Sequence, residues 1–184
     1  MAFNENTRVK LPAILHLVRL GYQYISLKDD SVIWNKNSNI ASSIFLDAIR
    51  RINPDLPEGD DNRLLQEVEL TLDNEDLGKA FYQLLSSNTN NRIIDFSDFE
   101  KNSFHVVTEL TYKNGEEEFR PDITLLINGM PLVFIEVKKP NNREGILAER
   151  DRIDRRFHNK KFRRFINITQ MMIFSNNMEY DDLD

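Results

Sequence analysis

Two apolar runs joined by one tight-turn signal constrain this chain's fold more than any other stretch. Residues 122–127 read DITLLI and residues 132–138 read LVFIEVK, with Asn128-Gly129 between them. Asn-Gly supplies the left-handed residues that a two-residue β-hairpin turn requires. Runs that are apolar at nearly every position suit strands covered on both faces. A hairpin buried on both sides needs layers above and below it. The expectation is therefore an α/β (α+β) chain with a mixed central sheet flanked by helices.

The remaining sequence offers those layers. Residues 6–20 place Leu11, Ile14, Leu15 and Val18, often with Leu17, on one side at helical spacing, and Gly21 supplies a stop. Residues 22–27 alternate as a strand does, and residues 32–34 read as a short partner strand. Ile44, Phe45, Ala48, Ile49 and Ile52 define a helix over 42–52, ended by Asn53-Pro54. Two more helices are expected at about 62–72 and 75–86. Asn74 would cap the second, with Leu77, Ala80, Phe81, Leu84 and Leu85 inward.

After a loop at 88–92 the texture changes. A strand is expected over 104–112, closed by Lys113-Asn114-Gly115, and the hairpin follows. Pro140 ends it. A basic helix at about 143–157, a second at about 160–170 and a last strand over 171–175 complete the chain. The order gives an αβββαβ core at about 104–176, with extra N-terminal helices in the part at about 5–90. At 184 residues, one domain over 1–184 suffices to bury a core.

With no cysteine, disulfide scaffolds and zinc-thiolate sites are excluded. No run approaches the ~20 apolar residues that span a bilayer. Met1-Ala2-Phe3-Asn4-Glu5-Asn6 lacks the basic start and apolar stretch of a secretory signal, so a cytoplasmic protein is expected. The total charge of −6 argues against a nucleic-acid partner, but its distribution differs: residues 138–164 hold eleven Lys or Arg against four acids, a local +7. Local charge sets the field that a phosphate backbone meets. The segment reads equally as a DNA-facing surface or as a salt-bridged, solvated helix face.

Arg120-Pro121-Asp122 and Glu136-Val137-Lys138 bring charge into this apolar hairpin. An ionised acid in such a strand costs several kcal/mol unless compensated, and a divalent cation between two carboxylates is one compensation. Glu136 and Lys138 alternate onto the same strand face. The register makes a demand. A two-residue Asn128-Gly129 loop pairs Ile127 with Met130 and Asp122 with Ile135, which puts Asp122 and Glu136 on opposite faces. Either a three-residue loop or a β-bulge near Asp122 restores the match. Glu-x-Lys alone carries little information, and a surface charge pair is its plain explanation. Pro54-Asp55, the other Pro-Asp pair, has no such hairpin beyond it.

Pro-Asp, a short hairpin and Glu-x-Lys resemble the active-site signature of the PD-(D/E)xK nucleases. The longer text FHVVTELTY…FRPDITLLINGMPLVFIEVKKPNNREGILAERDR…FINITQMMIFSNNMEYD resembles the N-terminal nuclease domain of type I restriction enzyme R subunits, over roughly residues 104–181. Glu5-Asn6-Thr7-Arg8 and Leu20-Gly21-Tyr22 match more loosely. The resemblance implies a restriction-endonuclease-like core, with Asp122 and Glu136 as metal-binding acids and Lys138 as catalytic lysine. Glu5 would be the helix acid that completes some such sites, or simply a solvated helix N-terminus. Many members of the family it resembles carry Gln-x-x-x-Tyr on the helix after the lysine. Here Glu149-Arg150-Asp151-Arg152-Ile153-Asp154 stands instead, which bears on DNA positioning more than on metal chemistry.

The function expected is metal-assisted hydrolysis of DNA phosphodiesters. Asp122, Glu136 and the Val137 carbonyl would hold Mg²⁺, with Mn²⁺ able to substitute, since oxygen ligands and no histidine cluster suit such ions. Lys139, Arg143, Arg150, Arg163 and Arg164 would contact phosphates without reading bases, so cutting would show little sequence preference. The resemblance implies a longer subunit with an ATP-driven DNA motor, working with modification and specificity subunits. This chain has no Gly-x-x-x-x-Gly-Lys-Ser/Thr loop for ATP and reads as a fragment of that subunit. A stand-alone repair nuclease or resolvase, a non-catalytic DNA-binding module and a purely structural domain are the alternatives. His16, His105, His158 and Trp34 read as structural.

Overall fold

The computed structural model describes residues 6–87, 91–139 and 143–176. Its centre is a five-stranded mixed sheet made of β1 (Gln23–Ile25), β2 (Phe104–Thr108), β5 (Ile123–Ile127), β6 (Met130–Val137) and β7 (Met171–Ser175), in the order β1-β2-β5-β6-β7. The outer pairs β1·β2 and β6·β7 are parallel, while β2·β5 and β5·β6 are antiparallel. A separate two-stranded ribbon pairs β3 (Tyr112–Asn114) with β4 (Glu117–Phe119). The helices are α1 (Leu11–Arg19), α2 (Ser42–Ile52), α3 (Asp60–Thr71), α4 (Lys79–Leu85), α5 (Arg143–Phe157) and α6 (Arg163–Ile168). This is the mixed α/β architecture expected, consistent with a restriction-endonuclease-like fold. Among the described residues no helix is long and apolar enough to cross a membrane.

Strand alternation sends neighbouring β6 residues to different layers. Phe134 joins Tyr112, Phe119, Ile153, Phe162 and Phe165 beneath α5 and α6. Ile135 and Val137 pack with Ile123, Leu125, Val106 and Val9 on the α1 side. Met130 and Leu132 meet a third cluster made by α2, α3 and α4.

The Asn128-Gly129 turn is buried, not solvated. Both residues have positive φ (50° and 77°), the pairing of a type I′ turn that matches strand twist. The Asn128 side chain is fully enclosed; it donates to the Ile93 carbonyl and to Asn102 Oδ1, each at 2.9 Å, and accepts from the Ser103 amide at 2.8 Å. The Gly129 carbonyl accepts from the Ala41 amide at 2.9 Å, which docks the turn on the start of α2.

Several elements differ from expectation. Residues 6–10 form a π-helical turn ahead of α1. Leu11, Leu15 and Val18 are exposed, while Ala13, Ile14 and Leu17 lean on the sheet. Residues 32–34 make only a single bridge, Trp34 to Ala41. The expected helix 75–86 starts at Lys79, after Leu77 and Gly78 with positive φ. Asn74 therefore does not cap it. Asp76 accepts from the Gly78 and Ala80 amides instead, and Leu77 points outward. The expected strand 104–112 breaks at Glu109, whose φ is 58°.

Candidate active site

Asp122 stands just before β5 and Glu136 near the end of β6. The hairpin starts in the two-residue register, Ile127 opposite Met130 and Leu126 opposite Pro131. Leu125 then faces Val133, so Leu132 is an extra residue on β6. Proline has no amide hydrogen for the ladder, and a bulge is where a strand interior accepts it. The bulge shifts parity by one. Ile123 faces Ile135, and the next step sets Asp122 opposite Glu136 on one face. The irregularity lies nearer the turn than Asp122, but it makes the correction the hairpin needed.

The two carboxylates live in different surroundings. Asp122 Oδ2 accepts from the Val137 amide at 3.0 Å, and Oδ1 lies 3.4 Å from Lys10 Nζ. Glu136 is 5% exposed, and its Oε1 is buried without a hydrogen-bond partner among the described residues. Burial, with Asp122 and Glu149 adding negative charge, pushes the Glu136 carboxyl up to about 8 against the pull of Lys138.

Lys138 follows Glu136 on the same face. Its Nζ lies 3.9 Å from Glu136 Oε2 and 3.3 Å from Glu149 Oε2. Glu149 comes from α5, is 4% exposed, and also takes Arg152 at 3.1 Å. Arg156, further along the same helix, stacks its guanidinium 4.0 Å over the Phe119 ring. The face thus carries three acids and a fan of cations, roofed by α5.

Sequence reading gives several residues around the site no role. Glu149 has a signal: it precedes buried Ile153 by one helical turn, so it belongs to the inward face of α5. Arg156 has a weaker one, three residues past Ile153. Lys10 and its ion-pair partner Glu109, whose amide donates to the Asp122 carbonyl, have none, because these contacts depend on the tertiary fold.

The proposed phosphate contacts separate into two groups. Lys139 follows Lys138 and Arg150 follows Glu149 in the chain, and both side chains are exposed. Arg143 opens α5, with its side chain outside the described ones, and Glu5 lies outside the described residues altogether. Arg163 and Arg164 are instead engaged within the chain. Arg163 donates to the Asp73 carbonyl and pairs with Glu75, while Arg164 clasps Asp73 through two nitrogens and reaches Glu69 at 2.8 Å. These contacts tie α6 to α3 and the segment after it.

The donor set suits a hard divalent cation: two opposed carboxylates, one with an unsatisfied buried oxygen. Among the described residues no group of three or more His, Cys, Asp or Glu side chains could hold a metal. Two carboxylates with water filling other positions is the coordination Mg²⁺ accepts most readily.

Comparison with known proteins identifies the family. Residues 2–181 match the family model described as the type I restriction enzyme R protein N terminus. The chain is 30% identical over 165 residues to the putative type I restriction enzyme MjaIXP endonuclease subunit of Methanocaldococcus jannaschii, covering 77% of this chain and 16% of the relative. It is 29% identical over 163 residues to the type I restriction enzyme HindI endonuclease subunit of Haemophilus influenzae, covering 74% and 15%. A Staphylococcus aureus relative, the type I restriction enzyme SauCOLORF180P endonuclease subunit, is 24% identical across 97% of this chain and 19% of its own length. The chain spans less than a fifth of the length of these curated relatives.

Proposed function

This chain belongs to the family of type I restriction enzyme R protein N-terminal domains, and we propose that it is the DNA-cleaving domain of such a subunit. The reaction would be divalent-metal-dependent hydrolysis of phosphodiester bonds with little sequence preference. The observation that carries this reading is the β6 bulge, which brings Asp122 and Glu136 opposite each other with Lys138 on the same face.

Asp122, Glu136 and the Val137 carbonyl would hold Mg²⁺ or Mn²⁺. The chemistry such a cation supplies when bound is activation of a water and shielding of the phosphate's charge. The chain's own groups do the rest. The Val137 amide fixes the rotation of the Asp122 carboxylate through Oδ2. Lys138, held between Glu136 and Glu149, would orient the attacking water or stabilise negative charge growing on the phosphate. Lys139, Arg143 and Arg150 would meet neighbouring phosphates, contacts that position DNA without reading it. In the longer subunit an ATP-driven motor and the modification and specificity subunits would supply the DNA and the choice of site.

Plasmid nicking with Mg²⁺ or Mn²⁺ tests the reading, comparing the parent chain with Glu136→Ala and Lys138→Ala at matched concentration. Nicking by the parent alone supports it. Equal nicking by Glu136→Ala would withdraw Glu136 from the site.

A further inference from the structure

Both oxygens of Asp122 are engaged. Oδ2 belongs to the Val137 amide, and Oδ1 faces the ammonium of Lys10 at 3.4 Å. Lys10 ends the π-helical turn before α1, and only 11% of its side chain is exposed. It also pairs with Glu109 through Oε1, the closer of its two partners. Glu109 in turn takes Arg120 on Oε2 at 2.9 Å. Its backbone is left-handed, and its amide donates to the Asp122 carbonyl at 3.3 Å.

From this arrangement we propose that Lys10 is a resident counter-cation of Asp122, which yields Oδ1 to an incoming divalent metal and keeps Glu109 as its partner. The proposal rests on the reading of Asp122 and Glu136 as a metal site. A buried ammonium without a partner is costly, so a lysine that must release one carboxylate needs another within reach. Glu109 meets that need, and its two cations and backbone hydrogen bond keep it in place. Yielding Oδ1 then requires only a small swing of the Lys10 side chain. Lys10 and the metal compete for the same charge, so Lys10 lowers the metal affinity of the site.

Mn²⁺ titration, with free Mn²⁺ followed by electron paramagnetic resonance, reads this without any nuclease assay. The proteins are the parent chain, Lys10→Met, Glu109→Gln, the double variant and Glu136→Ala. Methionine retains the length and apolar stem of lysine without its charge. Lys10→Met should tighten Mn²⁺ binding by about tenfold, within the usual range of coupling between sites. Glu109→Gln should weaken binding in the parent and have little effect in the Lys10→Met background, because it acts through Lys10. Binding by Lys10→Met that is equal to the parent or weaker, in a protein with a cooperative thermal melt, overturns the proposal. If Lys10→Met does not fold, an unchanged affinity in Glu109→Gln overturns it instead. Parent-like binding by Glu136→Ala, or no binding by any of the chains, removes the metal site itself and Lys10's role with it.

Discussion

Asp122 accepts a hydrogen bond from the Val137 amide at 3.0 Å, so a carboxylate on one strand of the hairpin is steered by the backbone beside Glu136 on the other. That bond separates two duties of Asp122. Asparagine retains an oxygen for the Val137 amide but has no charge, and alanine has neither. Asp122→Asn should melt within about 2 °C of the parent, while Asp122→Ala should lose about 1–2 kcal/mol. Both should lose metal-dependent nicking. Thermal melts beside the plasmid assay check this, and nicking by Asp122→Asn at the parent rate would argue against a metal-binding role.

Glu136 makes the fold sensitive to pH in a particular direction. Its carboxyl is raised from the ordinary 4.5 to about 8, chiefly by burial. Between those values the native chain keeps a proton that the unfolded chain has released, so stability falls as pH rises through that window. With divalent metal chelated, the parent should lose about 5 °C more than Glu136→Gln between about pH 5 and 8. Metal binding must displace the same proton, so Mn²⁺ affinity should rise with pH until Glu136 is ionised. Melting midpoints of the two proteins with the same pH slope would show that Glu136 is not the group responsible.

The hairpin is readable from sequence because its signals are local. Asn128-Gly129 dictates two positive φ angles, and alternation dictates which residues share a face. Pro131 sits at the bulge, since an interior strand proline lacks a ladder donor. Other features escape local rules. Periodicity predicts a helix over residues 6–20 with Leu11, Ile14, Leu15 and Val18 on one side, but not that Leu11, Leu15 and Val18 are exposed. A cap at Asn74 competes with one at Asp76, and the fold uses Asp76, next to Gly78, which packs so tightly on Asn167 that a Cβ would lie 2.6 Å from its carbonyl oxygen. Glu109 and Lys10 are ninety-nine residues apart, and their contact follows only from the finished fold.

Glu149 ties Lys138 to α5, and the tie can be cut without removing the lysine. Glu149→Gln removes the nearer of the two carboxylates around the Lys138 ammonium, at 3.3 Å, and retains the Glu136 oxygen at 3.9 Å. The nicking rate at saturating metal should fall by about tenfold, the scale on which small misplacements of a reacting group act. The concentration of Mn²⁺ giving half-maximal nicking should change much less, because Glu149 is not among the proposed ligands. An unchanged rate would mean that Lys138 does not depend on Glu149 for its position.

The hairpin turn offers the strongest link between fold and site. A Cβ on Gly129 would lie 2.5 Å from the Ala41 carbonyl oxygen and 2.8 Å from the Phe45 amide nitrogen, both backbone atoms that cannot rotate away. The residue's φ of 77° adds the strain of a left-handed conformation. Gly129→Ala should therefore cost about 3 kcal/mol or more, well above an ordinary surface change. Relief by slipping the turn would undo the register that sets Asp122 opposite Glu136, so metal-dependent nicking should fall even below the melting temperature. Gly115→Ala is the control, because its added Cβ meets nothing within 4 Å although its φ of 66° is also left-handed. It should cost only the conformational part, about 1 kcal/mol, and leave nicking intact. Equal losses of stability in the two variants would show that the φ angle, and not the contact with α2, sets the cost.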